Sequence, residues 1–180
     1  MAGRVDSMAG LTGRVIEFLE EEVGEGGVVD TKEMAVSMEI GLRRVYDVVN
    51  VLVGIGVVTK ELQPLEEKHV MRWIGLSTLS NLHEVDDCGS LTALQSVARA
   101  VWTRLQGLGD GETMDPQAFG QSLYLSMAAA EAPSSASSAS VNEKSVRRRV
   151  YDVVNVLIGA GLATRLSSPR NHVMLATHAN

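Results

Sequence analysis

Apolar residues recur along this chain with two different spacings, and the change from one to the other lays out its elements. Between Leu11 and Glu22, Leu11, Val15, Phe18 and Leu19 fall at helical spacing, with Arg14, Glu17, Glu20 and Glu21 on the other side. Gly24, Gly26 and Gly27 end that helix. Val28 and Val29 form a short extended piece, and Asp30 or Thr31 can cap a second helix running to Met38. A third helix is expected from about Ile40 to Val53, where Leu42, Val45, Val49 and Leu52 make a core-facing stripe. Gly54 and Gly56 stop it. Val57 to Thr59 and Val70 to Trp73 then read as strands flanking a polar loop, Lys60 to His69, with Pro64 at its tip.

The pattern is duplicated. Arg43 to Leu52 reads RRVYDVVNVL, and the same residues return as Arg148 to Leu157, displaced by 105 positions. Gly54, Gly56 and Thr59 recur as Gly159, Gly161 and Thr164, which marks a repeated domain. The second copy has longer parts. One helix is expected over Leu91 to Leu108, and another starts at Asp115–Pro116, a cap followed by a first-turn proline, and runs toward Ala130. A third covers Glu143 to Ile158, and strands follow at Leu162 to Thr164 and Val173 to Ala176. Pro133 to Ser140 is a Ser/Ala run with the composition of an exposed insertion. Three helices followed by strand, loop and strand is the winged-helix arrangement of the helix-turn-helix group. The expected fold class is therefore mainly α with small β (α+β), as two tandem winged-helix domains. These occupy residues 1–75 and 91–180, joined by a linker at 76–90, with the insertion near 131–141.

Charge and composition narrow the functions open to such a chain. Its 16 basic and 22 acidic residues leave a formal charge of −6, which argues against a general polyanion binder but not against a basic patch on an acidic body. Cys88 is the only cysteine, and His69, His83, His172 and His178 lack paired ligand spacing, so neither disulfide nor metal or other cofactor is expected. With no phosphate-cradling lysine loop and no serine elbow, an enzyme or a small-molecule site is not expected. The most apolar stretch, Val48 to Val58, is interrupted by Asn50 and is far short of the roughly 20 residues of a membrane span. Met1 to Gly10 lacks the apolar run of a secretory signal. A soluble, intracellular chain is expected.

The repeated helix carries the candidate chemistry. Arg43, Asp47 and Asn50 are spaced i, i+4 and i+7 on the face opposite the apolar stripe, with Arg44 beside them. Paired arginine donors match guanine O6 and N7 in the major groove, and the start of a helix is the part that reaches base edges. Asp47 can orient a guanidinium, and Tyr46 can offer its hydroxyl to a phosphate. The plainer reading is a solvated face whose ion pairs contribute ~0.3–0.5 kcal/mol each. Packing alone, however, constrains only the buried stripe, whereas Arg148, Arg149, Tyr151, Asp152 and Asn155 repeat the outward set unchanged.

These residues resemble the recognition helix of the E-two-F/DP transcription factors, whose hallmark is Arg-Arg-x-Tyr-Asp followed by Asn-Val-Leu. Gly3-Arg4-Val5-Asp6-Ser7, Gly10-Leu11-Thr12, Gly27-Val28-Val29-Asp30 and Arg72-Trp73-Ile74-Gly75 are similar to other segments of the E-two-F half. Arg147 ahead of Arg148, together with the long insertion before that helix, looks like the DP half. The resemblance implies a nuclear, cell-cycle transcription regulator that binds double-stranded DNA at GC-rich, TTTSSCGC-type promoter elements. It implies that Arg43, Arg44, Arg148 and Arg149 read bases, that Tyr46 and Tyr151 support at the backbone, and that Arg4 adds a groove or phosphate contact. Asp47, Asp152, Asn50 and Asn155 would orient them. With both halves in one polypeptide, the chain would act as a covalent pseudo-dimer, and E-two-F/DP subunits are further candidate partners.

The departures carry expectations of their own. The family's dimerisation region and activation tail have no counterpart before Asn180, so repression or competition is expected over activation. Glu66 and Glu67 stand in the first wing where relatives are basic, and Ala176 stands where the first copy has Trp73. The alternative function is a winged-helix protein–protein interaction module without specific DNA binding, which the acidic first half permits.

Overall fold

In the computed structural model, helix α1 (Met8–Phe18) begins where Ser7 leaves extended backbone and its Oγ accepts the Gly10 N–H at 3.1 Å. Leu11, Val15 and Ile16 are buried along it, and a π-helical turn, Leu19–Val23, continues it with Glu20, Glu21 and Glu22 exposed. The expected helix is thus present, and its last turn is widened. The structure describes residues 7–63, 68–80, 91–131, 142–168 and 171–176. It divides into two units, Met1–Arg99 and Ala100–Asn180.

In the first unit, Asp30 caps α2 (Thr31–Ser37), its Oδ1 accepting from the backbone of Lys32 at 2.6 Å and of Glu33 at 3.2 Å. Helix α3 (Leu42–Gly54) buries Val45, Val48, Val49, Val51 and Leu52. Leu42 departs from the expected stripe: it is 36% exposed, because it lines an open cleft with Ala35, Val36 and Ile40 instead of packing into the core. Strand β1 (Val28–Val29) and the hairpin β2 (Val58–Gln63) and β3 (Lys68–Trp73) form an antiparallel sheet in the order β1-β3-β2. Val58 lies opposite Trp73, which is 2% exposed, so the wing is anchored in the core through that indole. Both wing strands are longer than the β-branched runs suggested. Cross-strand pairing carries Lys60, Glu61, Leu62 and His69, read above as loop, into the ladder. Pro64, Glu66 and Glu67 lie outside the described residues.

Gly54 marks a close helix approach. A Cβ there would stand 2.6 Å from the carbonyl oxygen of Gln95 and 2.7 Å from the Cβ of Ala98, both on α4 (Ala93–Gln106). Of the segment expected as linker, Leu76–Ser80 forms a 3-10 turn and residues 81–90 lie outside the described residues. The division between the units falls within α4.

The second unit contains the end of α4, then α5 (Pro116–Glu131), α6 (Glu143–Gly159) and the two-stranded sheet of β4 (Ala163–Arg165) and β5 (Val173–Leu175). Asp115 Oδ1 accepts from the Gln117 N–H at 2.8 Å, the cap read from Asp115–Pro116. Met114 pairs with Val173 through two backbone bonds of 2.8 and 2.9 Å, as β1 pairs with β3 in the first unit. Val150, Val153, Val154, Val156 and Leu157 of α6 are buried, each 105 positions beyond a buried residue of α3. The Ser/Ala run at 133–140 lies outside the described residues. No helix among the described residues is long and apolar enough to cross a membrane.

Candidate nucleic-acid interface

At about 100° per residue, Tyr46, Asp47 and Asn50 fall within about 60° of Arg43 around α3, and Val45, Val48, Val49 and Leu52 fall on the far side. Those four valine and leucine side chains are buried, Arg43 and Arg44 are exposed, and Tyr46 is 38% exposed. Both arginines sit in the first turn of α3, the part of a helix that enters a groove most deeply. In α6, Arg148 is exposed while Arg149 and Tyr151 are half-buried. Helix α6 starts earlier, at Glu143, so its arginines occupy the second turn. Arg147 is committed elsewhere: its guanidinium lies 3.6 Å from Glu143, and its stem packs on α5, where a Cβ on Gly120 would stand 3.1 Å from Arg147 Cγ.

The orienting residues are arranged differently from the expectation for α3. Among the described residues, no hydrogen bond or ion pair joins Asp47 to Arg43 or Arg44. Asn50 instead faces the wing and α4: its Oδ1 accepts from Gln95 Nε2 at 2.9 Å and lies 3.5 Å from Lys60 Nζ. In the second unit, Asn155 Oδ1 accepts from Arg165 Nη2 at 2.9 Å. Lys60, on β2, and Arg165, on β4, are the residues that sequence reasoning passed over. The signal was present, since the displacement of 105 that relates Asn50 to Asn155 also carries Lys60 onto Arg165. The side chains differ while the charge is kept.

On the first unit, Lys32, Tyr46, Lys60 and His69, together with the acidic Asp30 and Glu33, line an open cleft of about 760 Å³ between α2, α3 and the wing. Arg72 does not contribute a free charge to this side. It donates to both carboxylate oxygens of Glu61, at 2.8 Å for the Nη2 bond, and its Nη1 donates to the Gly26 carbonyl. The fork lowers the Glu61 carboxyl below its ordinary value and raises the Arg72 guanidinium above its own. The pair braces the hairpin and ties it to the loop before β1. Arg4 lies outside the described residues. No group of three or more His, Cys, Asp or Glu that could hold a metal ion occurs among the described residues.

A capped helix pair followed by a helix with arginines on its outer face and a braced β-hairpin defines the first unit as a winged-helix domain. Residues 4–75 match the model of the E-two-F/DP family winged-helix DNA-binding domain. The chain is similar to transcription factor E2FC of Arabidopsis thaliana, 32% identical over 108 residues, covering 59% of this chain and 25% of that protein. It is 34% identical over 82 residues to transcription factor E2F4 of Xenopus laevis, covering 45% of this chain and 20% of that one. Against human transcription factor E2F6 the figures are 43% over 60 residues, 33% of this chain and 19% of that protein. The chain thus spans a quarter or less of the length of these relatives. The matches support a winged-helix DNA-binding domain of the E-two-F/DP type over residues 4–75.

Proposed function

We propose that the chain is a sequence-specific regulator of transcription that grips double-stranded DNA with two tandem winged-helix domains, at GC-rich elements of the TTTSSCGC type. Each of the helices α3 and α6 enters a major groove. Arg43, Arg44, Arg148 and Arg149 pair with guanine O6 and N7, at ~1–3 kcal/mol of discrimination per bidentate contact. Tyr46 and Tyr151 hold the backbone, and Arg4 adds a groove or phosphate contact. One polypeptide carrying both helices raises the effective concentration of the second once the first has bound. The chain acts in the nucleus on cell-cycle promoters, and E-two-F or DP subunits are its protein partners.

One observation carries this reading. Helices α3 and α6 bury the same valine and leucine positions and also keep the arginine pair, which the packing of those positions does not require. The test is selection of bound duplexes from a random pool, followed by mobility shift with the selected and scrambled sequences. Enrichment of a GC core flanked by two arginine-reading half-sites is expected. No enrichment, with equal shifts for both duplexes, would favour a protein-interaction module instead.

A further inference from the structure

We propose that Arg165, and Lys60 in the first unit, are additional contacts to the DNA sugar–phosphate backbone, held beside their reading helices by Asn155 and Asn50. The proposal rests on the DNA-binding reading and adds to it two cations and the residues that place them.

Three observations carry it. Asn155 Oδ1 accepts from Arg165 Nη2 at 2.9 Å, and Asn50 Oδ1 stands 3.5 Å from Lys60 Nζ, so one arrangement is built twice. Both cations are exposed, and among the described residues no carboxylate forms an ion pair with either, so each keeps its charge for an incoming anion. Arg72 shows the contrast, since its fork is filled by Glu61. Third, each asparagine lies seven residues beyond the first arginine of its pair, on the same face and about 10 Å along the helix axis at 1.5 Å per residue. A major groove is roughly 12 Å wide, so a helix with its arginines on base edges brings a cation at that distance to the groove wall, where phosphates lie. An asparagine carbonyl neutralises nothing. It aims the cation without spending its charge, and this distinguishes a positioning residue from an ion-pair partner.

The two sites differ in tightness, which fixes the order of effects. The Asn155–Arg165 bond has the ordinary length of 2.9 Å, against 3.5 Å for Asn50 and Lys60. Asn50 shares its oxygen with Gln95, which is 3% exposed, and holds Lys60 loosely. Arg165→Gln is therefore expected to weaken binding more than Lys60→Gln.

The experiment titrates the full chain with a GC-rich duplex and a scrambled one across a range of salt concentrations. Each neutralised phosphate contributes about 0.9 to the slope of log affinity against log salt. Arg165→Gln is expected to lower that slope by about 1 and to weaken both duplexes by the same factor, about three- to tenfold at moderate salt. The ratio between the duplexes stays unchanged. Arg165→Lys keeps the slope, and Asn155→Leu weakens binding in the parent but adds nothing in the Arg165→Gln chain. A parent that binds selectively while Arg165→Gln leaves the slope untouched, or changes the ratio, overturns this proposal alone. A parent that binds neither duplex overturns the DNA-binding reading and this proposal with it.

Discussion

Replacing Gly54 by alanine tests the packing behind α3, because two opposing terms can both be sized. A glycine-to-alanine change inside a helix ordinarily stabilises by ~1 kcal/mol. Gly54 is the last residue of α3, so that gain is an upper bound. Against it, the new Cβ would lie 2.6 Å from the Gln95 carbonyl oxygen and 2.7 Å from Ala98 Cβ. Unstrained carbon contacts stand at ~3.5–4.0 Å, so the helices must part by about 1 Å. Backbone cannot swing aside as a side-chain tip can, and overpacking of this kind costs ~1–3 kcal/mol. The clash wins, and a net loss of about 1 kcal/mol is expected. Gly10→Ala in α1 is the control: its nearest contact is Ser7 Oγ at 3.4 Å, so only the gain, up to about 1 kcal/mol, remains. The assay is guanidinium denaturation followed by emission of Trp73 in a Trp102→Phe background, since the chain has 2 tryptophans. A Gly54→Ala chain as stable as its parent, or more so, would refute the close approach of α3 and α4.

Two further predictions concern the hairpin of the first unit and helix α6. The Arg72 fork holds the Glu61 carboxyl below its ordinary value of 4.5. The stability it contributes is complete above the unfolded-state value and is lost as pH falls through the lowered folded one. Glu61→Gln should therefore flatten the acid limb of a melting-temperature-against-pH curve while leaving its alkaline limb unchanged in shape; an unaltered acid limb counts against the brace. Asn142 caps α6, its Oδ1 accepting from the Lys144 N–H at 2.9 Å. Asn142→Ala should cost about 1 kcal/mol in denaturation, read through Trp102, and Asn142→Asp should restore it.

Features held by local chemistry were legible in the chain, and those held by distant contacts were not. Asp30 and Asp115 announced their helices because a cap is made within three residues. Val45, Val49 and Leu52 announced the buried face of α3 because their period is its own. Val51 is buried on the side where Gly54 meets α4, a neighbour that no spacing within α3 encodes. Leu42 continues the period yet stays exposed, since periodicity cannot say where the cover ends. The wing strands were read short for the same reason: Glu61 and His69 have little strand propensity of their own, and cross-strand pairing recruits them. At the candidate site, the arginines were found through an identical repeat. Lys60 and Arg165 were missed because the comparison looked for identity where the molecule keeps only charge.

The claim on which the account turns is that paired arginines on α3 and α6 read guanine, and one titration addresses it most directly. Parent, Arg44→Ala and Arg149→Ala chains are titrated at one fixed salt concentration against a GC-core duplex and against one whose core guanines are replaced. Each substitution should cost ~1–3 kcal/mol on the GC core, a loss of about fivefold to 150-fold, and little on the altered duplex, with circular dichroism unchanged. Equal losses on both duplexes, or none on either, would contradict it.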